Sequence, residues 1–183
     1  ARLLHGPVHW PVLLSISVSH GVMPLLCHHL AESFAAAVPP DVIRELRERF
    51  RRNAIRNLLL TQELARLTHL LEGRGIGAAA FKGPLLAQAA YGRLGLRSFS
   101  DLDILVDRRH VSEATRVLVE QGYRPSYRFT VAQQALYQQA EYAHGFVRDD
   151  RSAWVELHWA ITPRYFALRL DPALLEPLHQ LDG

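Results

Sequence analysis

The sequence predicts an α+β fold: a small mixed sheet flanked by helices, preceded by an N-terminal helical segment. Apolar residues recur at helical spacing through the first part of the chain. Past Gly77, short apolar runs begin to alternate with helical stretches. "SDLDILV" and "AWVELHWAI" have the two-residue alternation of strands with unlike faces. Helices first, then mixed strand and helix, is the order of an α+β chain.

Each element follows from its own residues. Residues 8–37 read as one or two helices, interrupted near Gly21–Pro24 and ended by Pro39-Pro40. Asp41 is a natural N-cap for a long helix, with Ile43, Leu46, Phe50, Leu58, Ala65, Thr68 and Leu71 near helical spacing. It stops at Gly73-Arg74-Gly75. Ala78–Phe81 suits a buried strand, and Pro84 can open a helix that continues from Leu85 to Tyr91. Gly92 and Gly95 mark a loop. Ser98–Val106 reads as a strand, and Asp107 can cap a helix running to Gln121. Val131–Gln139 is helical in pattern. "EYAHGFV" and "AWVELHWAI" flank the polar turn "RDDRS" as a strand pair. Helical signals return near Pro172.

The 183 residues fit one compact domain, or one with an appendage: a helical segment over 1–75 and a sheet-bearing core over 76–183. Apolar residues make up 49% of the chain and charged residues 21%, which supports a real core and argues against disorder. A net charge of +3 does not by itself indicate a nucleic-acid or membrane partner. The run Arg44, Arg47, Arg49, Arg51, Arg52 and Arg56 is expected to be one solvated helix face. Cys27 is the only cysteine, so no intrachain disulfide can form. That is compatible with a reducing cytoplasm, the location expected. The apolar stretch Val12–Leu30 contains His20, Gly21, Pro24, His28 and His29, and makes a poor membrane span or signal peptide. The chain starts without methionine and stops soon after a fresh helical pattern. It is expected to be a processed form, or a piece cut short before a C-terminal helical region.

The acidic residues carry the chemistry. In a strand Asp101 and Asp103 project from one face, about 6–7 Å apart at the backbone, while Leu102, Ile104 and Val106 take the other. Carboxylates at that spacing can converge on one divalent ion or bracket two. Oxygen ligands of this kind suit Mg²⁺ held together with substrate phosphates. An EF-hand is excluded, because Ile104-Leu105-Val106 stand where its further ligand and turn glycine belong. In "AWVELHW", Trp154, Glu156 and His158 share a face. Glu156 in an apolar strand is costly to bury unless paired or metal-bound. A three-carboxylate cluster results if the two strands are adjacent. Lys82 is the only lysine among the 21 basic residues, and it sits beside Gly83 at the exit of a strand.

"FKG", then "LRSFSDLDILV", then "VELHW" resembles the uncharacterised nucleotidyltransferase family of the polymerase-beta-like superfamily. "SHGVMPLL" is similar to that family's N-terminal helices. The resemblance runs from about residue 10 to 165. It implies a glycine turn that holds NTP phosphates, matched by Gly83 with Lys82 before it. It also implies a metal-binding Asp-x-Asp, matched by Asp101 and Asp103, and a third acid, matched by Glu156. One or two Mg²⁺ ions would serve transfer of an NMP from an NTP to a hydroxyl acceptor, whether small molecule, peptide or RNA. Arg97 would reach the phosphates with its planar fork, and Ser100 would contribute if the strand bends. His158 would orient Glu156 or the acceptor, and His144 is expected across the hairpin from that region. The chain departs from the superfamily in three places. Gly83 is followed by Pro84, which has no N–H for a phosphate. Glu156 replaces the commoner aspartate, and "GRLGLR" lengthens the interval between glycine and aspartate.

Two other functions fit part of the same pattern. A non-catalytic module of the same fold would bind a nucleotide or a partner, but has no need of converging acids. A toxin-type transferase acting on tRNA or protein is suggested by the likeness of "KG…R.FSDLD" to abortive-infection toxins. The mild charge and the lack of an aromatic–basic patch count against that. His5, His9, His28 and His29 have no ligand partners at metal spacing and are expected to be incidental.

Overall fold

The computed structural model describes Leu4 and residues 6–163. The fold is α+β, with six helices and a five-stranded mixed sheet among the described residues. The described residues divide into two compact units, the first comprising those up to residue 61 together with 84–99 and the second residues 62–83 and 100–163. No helix among the described residues is long and apolar enough to cross a membrane.

In the first unit, α1 (Trp10–Ser19) and α2 (Met23–Ser33) each carry a proline in the first turn, where a missing N–H costs nothing. Gly21 turns the chain between them at φ +68°. Then comes α3 (Pro40–Glu72), a 33-residue helix that the unit boundary crosses. It starts one residue before the expected cap, so Asp41 lies in its first turn, where a carboxylate still favours the helix dipole. Leu14, Met23, Cys27, Leu30, Val42, Ile43 and Leu46 form the core of this unit. The arginine run is a solvated face as expected, with Arg44, Arg47, Arg51, Arg52 and Arg56 exposed. Arg49 pairs with Glu45, and Arg51 and Arg52 with Glu48. Next, α4 (Gly83–Tyr91) leads into the loop before the second strand.

The sheet lies in the second unit. Its strands are β1 (Ala78–Ala80), β2 (Asp101–Val106), β3 (Tyr123–Pro125), β4 (Ala143–Arg148) and β5 (Trp154–His158), in the order β1-β2-β5-β4-β3. β2 and β5 run parallel; the other three pairings are antiparallel. Leu102, Ile104, Val155, Leu157 and Phe146 are fully buried and alternate with the residues of the opposite face.

Several elements differ from expectation for local reasons. The strand expected from Ser98 begins only at Asp101. The carbonyls of Leu94, Gly95 and Arg97 are already taken by the amides of Asn53 and Asn57, which holds this segment off a ladder. The Asp107 side chain accepts from the Arg109 N–H, but opens a 3₁₀ turn before α5 (Val111–Glu120). The short β3 was not expected; three residues ending in proline give no periodic signal. α6 (Val131–Ala140) matches its expected span and is opened by a capping box between Thr130 and Gln133. The hairpin of β4 and β5 stands where "EYAHGFV" and "AWVELHWAI" place it. The helical signal near Pro172 lies outside the described residues.

Candidate active site

Parallel pairing of β2 with β5 sets Asp101 opposite Trp154, Asp103 opposite Glu156 and Leu105 opposite His158. Alternation then puts Asp101, Asp103, Trp154, Glu156 and His158 on one face. The apolar partners between them fill the core on the other. The register that buries Leu102, Ile104, Val155 and Leu157 therefore also gathers the acids.

Asp103, Glu156 and His158 form the closest group, with one ligand-type atom from each within 4.8 Å of the others. His158 Nε2 lies 3.0 Å from Asp103 Oδ1 and 3.2 Å from Glu156 Oε2. The Lys82 ammonium donates to the same Asp103 Oδ1 at 3.0 Å. Asp103 and His158 are buried, while Glu156 is partly open to solvent. Burial pushes the Asp103 carboxyl upward, but the hydrogen bonds from His158 and Lys82 outweigh it and hold the group below the usual aspartate range.

The other ring nitrogen of His158, Nδ1, is buried and has no hydrogen-bond partner. With two carboxylate oxygens facing Nε2, the proton belongs on Nε2. Nε2 faces a carboxylate oxygen on each side, the position of a donor that orients the acids. Phe81 meets the imidazole edge-on at 4.8 Å between centroids.

Lys82 and Gly83 form the turn after β1. Both lie in the left-handed region, at φ +58° and +37°. Glycine takes that conformation freely, but a lysine there is strained. A Cβ on Gly83 would lie 3.7 Å from the Asp101 carbonyl, so the turn runs close along β2. The Lys82 ammonium sits 4.9 Å from the centre of the Phe81 ring.

Other expected site residues are placed differently. Asp101 is half-buried on the acid face, one alternation from Asp103, and is not part of the close group. Ser100 is exposed just before β2. Arg97 belongs to the first unit, where its carbonyl accepts from Asn53 and Asn57. His144 pairs in register with Leu157, which puts it on the face opposite the acids. It is ringed there by Phe129, Tyr137 and Phe146. Burial lowers its basicity, against a hydrogen bond with the Tyr127 backbone.

Asn53 and Asn57, which fix the loop leading into β2, are not among the expected site residues. Their signal was two asparagines one helical turn apart inside a long helix, where asparagine is a weak former. Phe81 ends the expected strand and is also the wall behind His158 and Lys82.

The donor set suits a hard divalent cation. Asp103 and Glu156 offer carboxylate oxygens from adjacent strands, and the contacts from Lys82 and His158 both engage Oδ1 of Asp103. Residues 6–181 match the sequence model of a family described as uncharacterised nucleotidyltransferase. No curated protein and no solved structure matches the chain.

Proposed function

The chain belongs to this nucleotidyltransferase family, and from that premise we propose that it transfers an NMP from an NTP to a hydroxyl acceptor on the acid face of β2 and β5. The observation that carries this reading is the convergence of Asp103, Glu156, His158 and Lys82 on one point. Asp101, Asp103 and Glu156 would hold Mg²⁺. Bound there, the cation supplies charge neutralisation for the phosphates.

The chain's own residues supply the rest. Lys82 exchanges its contact with Asp103 for the triphosphate, acting as a compact point charge. Gly83 keeps the turn free of a side chain where the phosphates approach. His158 holds Asp103 and Glu156 in position from behind. Glu156, the more exposed acid, takes the proton of the acceptor hydroxyl. The acceptor oxygen bonds to the α-phosphorus, and the bond to the bridging oxygen breaks. Pyrophosphate leaves with the electron pair.

The test is the double variant Asp101→Asn, Asp103→Asn, assayed with α-labelled NTPs over a panel of hydroxyl acceptors. Label transfer by the wild-type chain and its loss in a folded double variant is the expected result. Undiminished transfer by the variant would refute the assignment.

A further inference from the structure

Next to the acids on β5 stands a side chain that the proposed chemistry has not used. Trp154 is two residues from Glu156 on the same face, in register with Asp101. It remains 40% exposed, which is high for a tryptophan in a sheet interior. Its indole lies across the neighbouring strand, over Gly145, the register partner of Glu156. A Cβ at Gly145 would come within 2.8 Å of Trp154 Cζ2 and 3.3 Å of Cε2. The absence of a side chain at Gly145 therefore allows the ring to lie down beside Glu156. An aromatic that only covered a strand glycine would be expected to bury itself. This one keeps much of its surface open to solvent beside a carboxylate. Ser126, whose Oγ is 3.0 Å from the same Cβ position, lines the far rim with a hydroxyl.

Direction decides what the ring faces. The Lys82–Gly83 turn continues from β1, on one flank of β2, and β5 and β4 lie on the other. In-line displacement puts the leaving pyrophosphate and the attacking hydroxyl on opposite sides of the α-phosphorus. With phosphates at Lys82, the acceptor enters from the β5–β4 flank, over Trp154. Resting on the nucleotide site proposed above, we infer that the Trp154 indole on Gly145 is the acceptor shelf. The acceptor is then a hydroxyl compound with a flat ring face, a pyranose or an aromatic alcohol, because such faces stack on indole and an extended polyol does not.

Saturation-transfer NMR on the full chain with Mg²⁺ and a non-hydrolysable NTP analogue tests this. The probes are methyl glucoside, phenethyl alcohol and sorbitol. At least one ring probe should bind the wild-type chain, and which one does identifies the source of the ring; sorbitol should not. Trp154→Ala should weaken that ring probe by roughly tenfold and leave the affinity for the NTP analogue unchanged. Trp154→Phe should restore the probe, and Gly145→Ala, which lifts the ring, should mimic Trp154→Ala. Ring probes that bind the wild-type and Trp154→Ala chains equally would overturn the shelf. So would the failure of both ring probes while the analogue binds, or an analogue affinity that falls with Trp154→Ala. Failure of the analogue to bind the wild-type chain would instead count against the nucleotide site. Ring-probe binding lost with Trp154→Ala would still assign the shelf in that case.

Discussion

Asp103 and Glu156 face one another across the parallel β2–β5 ladder, and one nitrogen, His158 Nε2, lies 3.0 Å from the first and 3.2 Å from the second. Two carboxylates this close repel, and the imidazole N–H offsets part of that repulsion. With a carboxylate oxygen on each side of Nε2, that nitrogen is the one placed to donate. Nitrogen-15 NMR should find the proton on Nε2 of His158, and it should stay there when Mg²⁺ is added. Loss of the Nε2 proton on titrating Mg²⁺ would make the ring a ligand instead.

Lys82 separates backbone from charge. Its φ of +58° is a conformation that costs a non-glycine residue about 1 kcal/mol. Lys82→Gly removes that strain together with an ion pair whose lysine end is half-exposed and whose buried Asp103 end keeps its bond to His158. Its stability to denaturant should stay within about 1 kcal/mol of wild type, while its KM for NTP rises. Lys82→Arg keeps the charge but presents a wider fork on a turn stiffened by Pro84, and it too should use NTP poorly. An unchanged KM in both variants would remove Lys82 from phosphate binding.

Asn57 is fully buried and donates at 2.7 Å to both the Leu94 and Arg97 carbonyls. Asn57→Ala leaves the Leu94 carbonyl without its donor and the Arg97 carbonyl with only the longer bond from Asn53. Hydrogen bonds of this kind are worth about 1 kcal/mol each, so the loss should be about 1–2 kcal/mol. The denaturation midpoint should fall accordingly. A shift near zero would mean that the loop before β2 holds its shape unaided.

Glu63 gives the second unit an acid-sensitive contact. Burial pushes its carboxyl up, but hydrogen bonds from Arg66 and Tyr123, with the charges of Arg66 and Arg148, bring it below its ordinary value of 4.5. Because the folded value is depressed, the contribution is complete above 4.5. It is lost as pH falls through the folded value. Wild type should therefore exceed Glu63→Gln in stability at neutral pH, and the gap should close on acidification. A gap that is constant with pH would show that the carboxylate charge is not what matters.

The acid face was legible because strand alternation is a local property. Once "SDLDILV" and "VELHW" are strands, Asp101 and Asp103 share one face of the first, and Glu156 and His158 one face of the second. Their adjacency was not local: it depends on β5 inserting between β2 and β4, a pairing across about fifty residues of chain. The face of His144 depends on hairpin register, which the residues of the turn left open. Arg97 followed the loop rather than the strand, because the asparagines that claim its segment sit some forty residues upstream. The strain at Lys82 has no sequence signal, since only the turn geometry reveals it.

The most direct test is calorimetric titration of a non-hydrolysable NTP, with and without Mg²⁺, into the wild-type chain and a folded Asp103→Asn variant. Removing one such charged group should weaken the Mg²⁺-dependent binding by at least about tenfold. The predicted result is binding that requires Mg²⁺ and is lost or strongly reduced in the variant. Binding of equal strength without Mg²⁺, or in Asp103→Asn, would contradict a metal–nucleotide site on this face.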